Sequence, residues 1–327
     1  MKANAERLND TKNYLSNHIT PGQFNEVNSL IATIPNKNTL SAALSIGNSN
    51  PFRTNARRAK RSLMLLAMLL INEQGKRTAE VARIKKLPEG AEAPLIAEIK
   101  SWFILPGVTP DVVALHAKNN IVKLPKWNNV NYEAADAVRG VYNVNKPFNC
   151  YNGCVFWAFQ AGAISKRYLW NELQGKDGNA FFPTYSRVGW DTFIEWEFEK
   201  DASGATKMDG NGKEKIRVVK DDSNGGEIVV PAGMTVYFET PTKVFGHVAC
   251  SLGDGKVISQ NSVNIGDSAL ALLNGTVKNE FDKMANAVTH IVSIRDMINQ
   301  YFNPRNGYQR IKISSGSFWD PIPINRR

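Results

Sequence analysis

The spacing of apolar residues changes at about residue 125, and this change constrains the fold more than any single motif. Before it, apolar residues recur at helical intervals, as at Phe24, Val27, Leu30 and Ile31, and Ala56 to Asn72 contains no Gly or Pro. Pro88, Gly90 and Pro94 interrupt the pattern. Pro94 to Leu105 then predicts a short helix, and Pro110-Asp111 opens another over Val112 to Lys118. After the change, Gly, Asn and aromatic residues rise. Tyr151 to Tyr168 predicts one helix. Strand-like runs follow at Asp191 to Glu199, Lys215 to Lys220, Ile228 to Val230, Met234 to Glu239, His247 to Leu252 and Lys256 to Ser259. Asp209-Gly210-Asn211-Gly212 and Ser223-Asn224-Gly225-Gly226 are turn signals between them. Residues 267–302 return to helical composition. A chain of 327 residues has room for about two domains. The expectation is a mostly α-helical domain over 1–125 and an α+β domain over 126–327, with a helix packed on an antiparallel sheet.

Charge follows the same division. The net charge is +10, and residues 1–125 carry 17 Lys plus Arg against 9 Asp plus Glu. The remainder carries 23 against 21, so the basic character belongs to the N-terminal part. Such a part suits an anionic partner: cell wall, membrane surface or an acidic protein. The plainer alternative is a solvated basic helix face. The near-neutral second part argues against a stable nucleic-acid complex. The longest apolar run, Leu63 to Ile71, has nine residues, and a spanning helix needs about 20. Although Arg57, Arg58, Lys60 and Arg61 precede it like the flank of a signal anchor, it reads as a buried helix with a basic first half. No apolar stretch follows Met1 to Arg7, so the expectation is no cleavable signal: cytoplasmic as made, or exported by a specialised secretion system.

Three cysteines exclude a disulfide scaffold. Cys150 and Cys154 stand as C-x₃-C with no His nearby, so neither a metal nor another cofactor is expected. Pro147 stops any earlier helix, and Asn149 or Asn152 can cap the next one. Cys150 then falls at the helix head, where free backbone N–H groups favour a thiolate and can hold an oxyanion. Cys154, a turn further in among apolar residues, is the alternative nucleophile. Of the four histidines, His18 and His116 lie in the helical part and His290 near the C-terminal end. His247 opens a strand after Gly246, where it is placed to meet a helix N-terminus packed across a sheet.

The order of these segments resembles the papain-like cysteine peptidases of the NlpC type. The likeness is carried by Asn149-Cys150 at the head of an apolar helix, then Pro231-Ala232-Gly233-Met234-Thr235-Val236-Tyr237-Phe238, then Gly246-His247-Val248-Ala249-Cys250-Ser251-Leu252-Gly253-Asp254-Gly255-Lys256-Val257-Ile258. It covers roughly residues 142–262, and the His hairpin is its most specific part. There are departures. Asn149-Cys150-Tyr151-Asn152 replaces Asp-Cys-Ser-Gly, Met234 replaces the turn Asp, and the family's third catalytic position falls at Ser259. The Gly-rich hairpins of residues 200–227 look like an insertion. The resemblance implies Cys150 as nucleophile, His247 as base and a third residue that orients the imidazole. A three-residue Gly253-Asp254-Gly255 loop pairs Leu252 with Lys256, sets Asn261 opposite His247 and puts Ser259 on the same face. A two-residue Asp254-Gly255 turn brings Gln260 there instead. Cys250 should face the other way.

Two further constellations have plain readings. Glu195, Glu197 and Glu199 could pair as glycosidase carboxylates, but at period two they line one strand face and read as a solvated edge. Lys166, Arg167, Tyr168 and Trp170 could stack bases with Trp157, but read as a helix end in the core. The expected function is a thiol hydrolase of amide bonds, a peptidase, amidase or deamidase. It would act on peptidoglycan peptides or on a target-cell protein as a secreted effector toxin. The alternative is a non-enzymatic basic nucleic-acid- or membrane-binding protein whose Cys and His are structural.

Overall fold

A computed structural model describes residues 4–46, 54–120, 150–173, 187–240, 246–261, 288–300, 302–304 and 307–323. The chain forms two compact units. One comprises residues 1–104 with 164–174 and 326–327; the other comprises 105–163 with 175–325.

The N-terminal unit is helical: α1 (Asn4–Ser16), α2 (Pro21–Ala32), α3 (Lys37–Ala43), α4 (Asn55–Leu70), α5 (Gln74–Lys86) and α6 (Ala93–Lys100). Side-chain caps fix several helix starts. Thr20 and Gln23 form a reciprocal capping box, and Asn36 and Thr54 each accept from backbone N–H groups of the next turn. The core is α4, whose Leu63 to Ala67, Leu70 and Ile71 are buried. Its basic first half is directed inward. Arg57 pairs with Glu89 at 2.5 Å, and Arg58 and Arg61 both pair with Asp10 at 3.2 Å. Lys60 donates to the carbonyls of Lys85 at 3.0 Å and Leu87 at 2.8 Å, satisfying acceptors at the end of α5.

The helix expected over Tyr151 to Tyr168 is broken. It runs as α8 (Cys150–Gln160) in the second unit, after α7 (Pro110–Asn119), and stops at Gly162. That glycine has φ +82°, and a Cβ there would lie 2.6 Å from Leu105 Cγ. Ser165 then caps a new short helix, α9 (Lys166–Tyr168), followed by a π-turn over Leu169–Leu173. Both belong to the N-terminal unit.

The second unit is α+β. Seven strands form one antiparallel sheet: β1 (Trp190–Phe198), β2 (Ile216–Asp221), β3 (Thr235–Glu239), β4 (His247–Ser251), β5 (Lys256–Asn261), β6 (Val288–Ser293) and β7 (Arg310–Ser314), in the order β2-β1-β7-β3-β4-β5-β6. Turn chemistry supports the β1–β2 region. Asp201, Asp209 and Asp221 each accept the backbone N–H groups two and four residues on. Three expectations are corrected. Ile228 to Val230 is not a strand, although Ile228 and Val230 are buried. Of the stretch read as helical, residues 267–287 lie outside the described residues, and the remainder starts with β6 before α10 (Ile294–Gln300). β1 is no edge: it lies between β2 and β7, and Glu195, Glu197 and Glu199 are ion-paired with Arg310, Arg217 and Lys207.

The two sheet faces differ. One carries Ile194, Val236, Phe238, Ala249, Val257 and Ile311 against Ile294, Met297, Ile298 and Phe302. On the other, α8 packs over β4 and β5, so closely that a Cβ on Gly153 would lie 3.1 Å from Gln260 Cβ.

Candidate functional site

Cys150 is the first residue of α8 and is buried. Burial pushes its thiol up to about 11, against the opposing pull of the backbone N–H groups of Val248, Tyr151 and Cys150 itself. The hydroxyls of Tyr151 and Tyr237 lie together close by, and a charge on Cys150 would act on both. Burial raises both phenols, Tyr237 to about 12. Neither tyrosine stood out in the sequence. The signal for Tyr237 was its parity, since strand alternation puts it beside Val248 on the α8 face. Cys154 is buried one turn along the helix, and Cys250 is buried with its thiol pushed up to about 12.

His247 lies elsewhere. Its Nε2 is 2.7 Å from Ser259 Oγ, its ring stacks on Phe302 at 4.5 Å and 14°, and Phe238 lies at 5.9 Å. The hairpin register is that of the three-residue loop: Leu252 N–H donates to Lys256 at 2.9 Å, and Cys250 pairs with Ile258 and Ser251 with Val257. Continued by four residues, it sets Asn261 across from His247. The structure describes the backbone of Asn261 and not its side chain. Ser259 shares the imidazole's face. Gln260 is on the other face, toward α8, where its Oε1 accepts from Thr289 at 2.6 Å. By the same alternation, Val248 and Cys250 face α8 while His247 points toward Phe302 and α10.

The structure therefore joins His247 to Ser259, on the sheet face opposite the one that α8, with Cys150 at its head, packs against. Among the described residues, no cluster of three or more His, Cys, Asp or Glu is placed to hold a metal ion, and no helix is long and apolar enough to cross a membrane. No family model, curated protein or solved structure matches the chain.

Proposed function

We propose that the second unit is a cysteine hydrolase of the papain-like NlpC type, acting on amide bonds with Cys150 as nucleophile. The observation that supports this is the position of Cys150 as the first residue of α8, where the helix head leaves backbone N–H groups without intrahelical acceptors. Such groups can hold the oxyanion that develops on a carbonyl attacked by that sulfur. Burial keeps the resting thiol neutral, so the proton must leave as the sulfur attacks. The reading carries a requirement: to act as base, His247 must exchange its Ser259 and Phe302 contacts for Cys150 during turnover. A peptide or protein amide is the substrate, and the secreted-toxin setting is part of the proposal. Assays on peptidoglycan peptides and on target-cell lysate with Cys150→Ala, Cys154→Ala and His247→Ala test it. Loss with Cys150→Ala and His247→Ala supports the proposal. Full activity of Cys150→Ala beside a dead Cys154→Ala moves the nucleophile to Cys154.

A second reading, with Cys and His in structural roles, draws on one specific observation: the imidazole and the thiol occupy opposite sheet faces, each buried. A substrate-like reagent separates the readings. Because the resting thiol is neutral, iodoacetamide should label slowly near neutral pH under either. Fast labelling of Cys150 near neutral pH by a peptide that carries a chloromethyl ketone favours the hydrolase, and no faster labelling by that peptide than by iodoacetamide favours structural roles. The anionic-partner reading of the N-terminal unit draws less support from α4, since Arg57, Arg58, Lys60 and Arg61 are directed at carboxylates and carbonyls.

A further inference from the structure

The N-terminal unit contains a site that neither the hydrolase reading nor the basic character of the unit accounts for. Residues 164–174 are far in sequence from the rest of that unit yet belong to it. Lys166 is almost wholly buried, at 1% exposure, and so are Glu80 at 0% and Trp102 at 1%. The Lys166 ammonium lies 2.6 Å from Glu80 Oε1, hydrogen-bonds Glu98 Oε1, and sits 5.3 Å from the centre of the Trp102 ring. Arg83 closes the far side, donating to both Glu80 oxygens at 2.8 Å and also to Glu98. The backbone approaches the same place: Lys166 N–H donates to Ser101 O at 2.7 Å. Around the lysine the segment is fastened by Arg167 to Glu26 at 2.6 Å. Asn171 accepts from Asn72 N–H at 2.9 Å and donates to Leu70 O at 2.8 Å.

Two carboxylates and an indole face are suited to hold a primary ammonium. A buried ion cluster is weak support for stability, since apolar residues of like volume often serve as well. Its specific chemistry is a match between one cation and two carboxylates at one place. We propose that Glu80, Glu98 and Trp102 form an ammonium-binding socket in the N-terminal unit. Its ligand is the side chain of Lys166, delivered by residues 164–173, and its occupancy sets the geometry of α5 against α6. Burial works to raise the Glu80 carboxyl, and the Lys166 and Arg83 cations overcome it, leaving it below the ordinary carboxylate range. The chemical class of ligand is a primary alkylammonium on a flexible stem. The socket takes it from the chain's own later segment.

Chemical rescue in the full chain tests this. Lys166→Ala empties the socket of three carbons and the ammonium, and hydrogen exchange of α5, α6 and residues 164–173 is then followed with increasing n-propylammonium, 1-propanol or sodium ion. Exchange should accelerate on the order of 100-fold in those segments, as loss of one partner from a buried pair implies. Millimolar n-propylammonium should restore most of the protection, while 1-propanol and sodium should not. Lys166→Met, which keeps volume without charge, should behave like Lys166→Ala without amine. Rescue by 1-propanol as complete as by n-propylammonium would reduce the site to a cavity and overturn the proposal. So would unchanged exchange in Lys166→Ala. If Lys166→Ala does not fold, refolding in n-propylammonium replaces the titration, and failure to recover protection there also counts against it.

Discussion

The two units bury polar chemistry in opposite ways. The N-terminal unit buries ions, each within reach of a counter-ion: Lys166 and Arg83 with Glu80 and Glu98, Lys60 with Glu89, Arg61 with Asp10. The sheet unit buries neutral groups, the Cys150 and Cys250 thiols and the Tyr151 and Tyr237 phenols, and it also buries an imidazole between a serine hydroxyl and two aromatic rings. In the first unit, protonation states are held by partners, so deleting one partner strands the other. In the second they are held by desolvation, so deletions cost less, and what they change is chemistry. The comparison can be broken by measurement, beginning where the expected effect is largest.

Glu80→Gln in the full chain should destabilise the N-terminal unit by about 3–5 kcal/mol, because Lys166 and Arg83 would then share Glu98 alone in a buried setting. Urea unfolding followed by hydrogen exchange in each unit measures it. A loss under 1 kcal/mol would mean that water reaches the site and the ions are not buried in effect.

In the sheet unit a sharp packing constraint precedes the histidine. A Cβ on Gly246 would lie 2.2 Å from Phe238 O and 2.5 Å from the Tyr237 ring, so backbone must move. Gly246→Ala should cost about 2–3 kcal/mol, in the range of core overpacking, and should shift the His247 resonances in an NMR spectrum. Unchanged His247 resonances would show that the strand start has slack.

Alkali should then separate the units. Cys150, at about 11, and Cys250 and Tyr237, each at about 12, have raised folded values. Their contribution is complete below the unfolded values of about 8.5 for the thiols and about 10 for the phenol, and is lost as pH climbs toward the folded figures. In the N-terminal unit the Tyr14 phenol is raised as well. Acid does not divide the units in this way. Glu80, Glu89 and Glu92 in the N-terminal unit have lowered folded values, and so do Asp111, Asp201, Asp221 and Asp254 in the other, so each contribution is present above the unfolded value and lost as pH falls through the folded one. Hydrogen exchange should show the sheet unit opening first above pH about 9, and both units opening together there would erase the distinction.

How far the chain could be read in advance follows the same division. The buried helix with a basic half was legible, because nine apolar residues in a row leave little choice of face. The hairpin register was legible too, because Gly253-Asp254-Gly255 admits few loop geometries and the observed pairing of Leu252 with Lys256 is one of them. Parity within a strand came with it, so His247 and Ser259 were expected on one face. What strand alternation cannot reveal is which face a distant helix will cover. α8 took the face of Gln260 and Cys250, because Gly153 permits a close approach there and Phe302 with α10 fills the other side. The continuation of that helix to Tyr168 was wrong because the left-handed backbone at Gly162, packed against Leu105, ends it. The socket was missed because its members are spread from Glu80 to Lys166 and share no spacing.

The smallest expected effect bears most directly on what the imidazole is for. Ser259 is fully buried and its Oγ lies 2.7 Å from His247 Nε2. Ser259→Ala removes one hydroxyl and adds no bulk, so it should cost only about 1 kcal/mol. That loss should be independent of any substrate. If the imidazole serves only to fill the space between Phe238 and Phe302, the stability loss is the whole effect. If His247 leaves that stack to take the Cys150 proton, Ser259→Ala weakens the competing contact and frees the ring. The pH profile of amide hydrolysis should then shift while Km stays within about twofold. A double-mutant cycle of Ser259→Ala with Phe302→Leu separates the two cases. Coupling in stability without coupling in rate assigns the pair to packing. Coupling in rate means that the contacts on one face of the sheet control chemistry on the other.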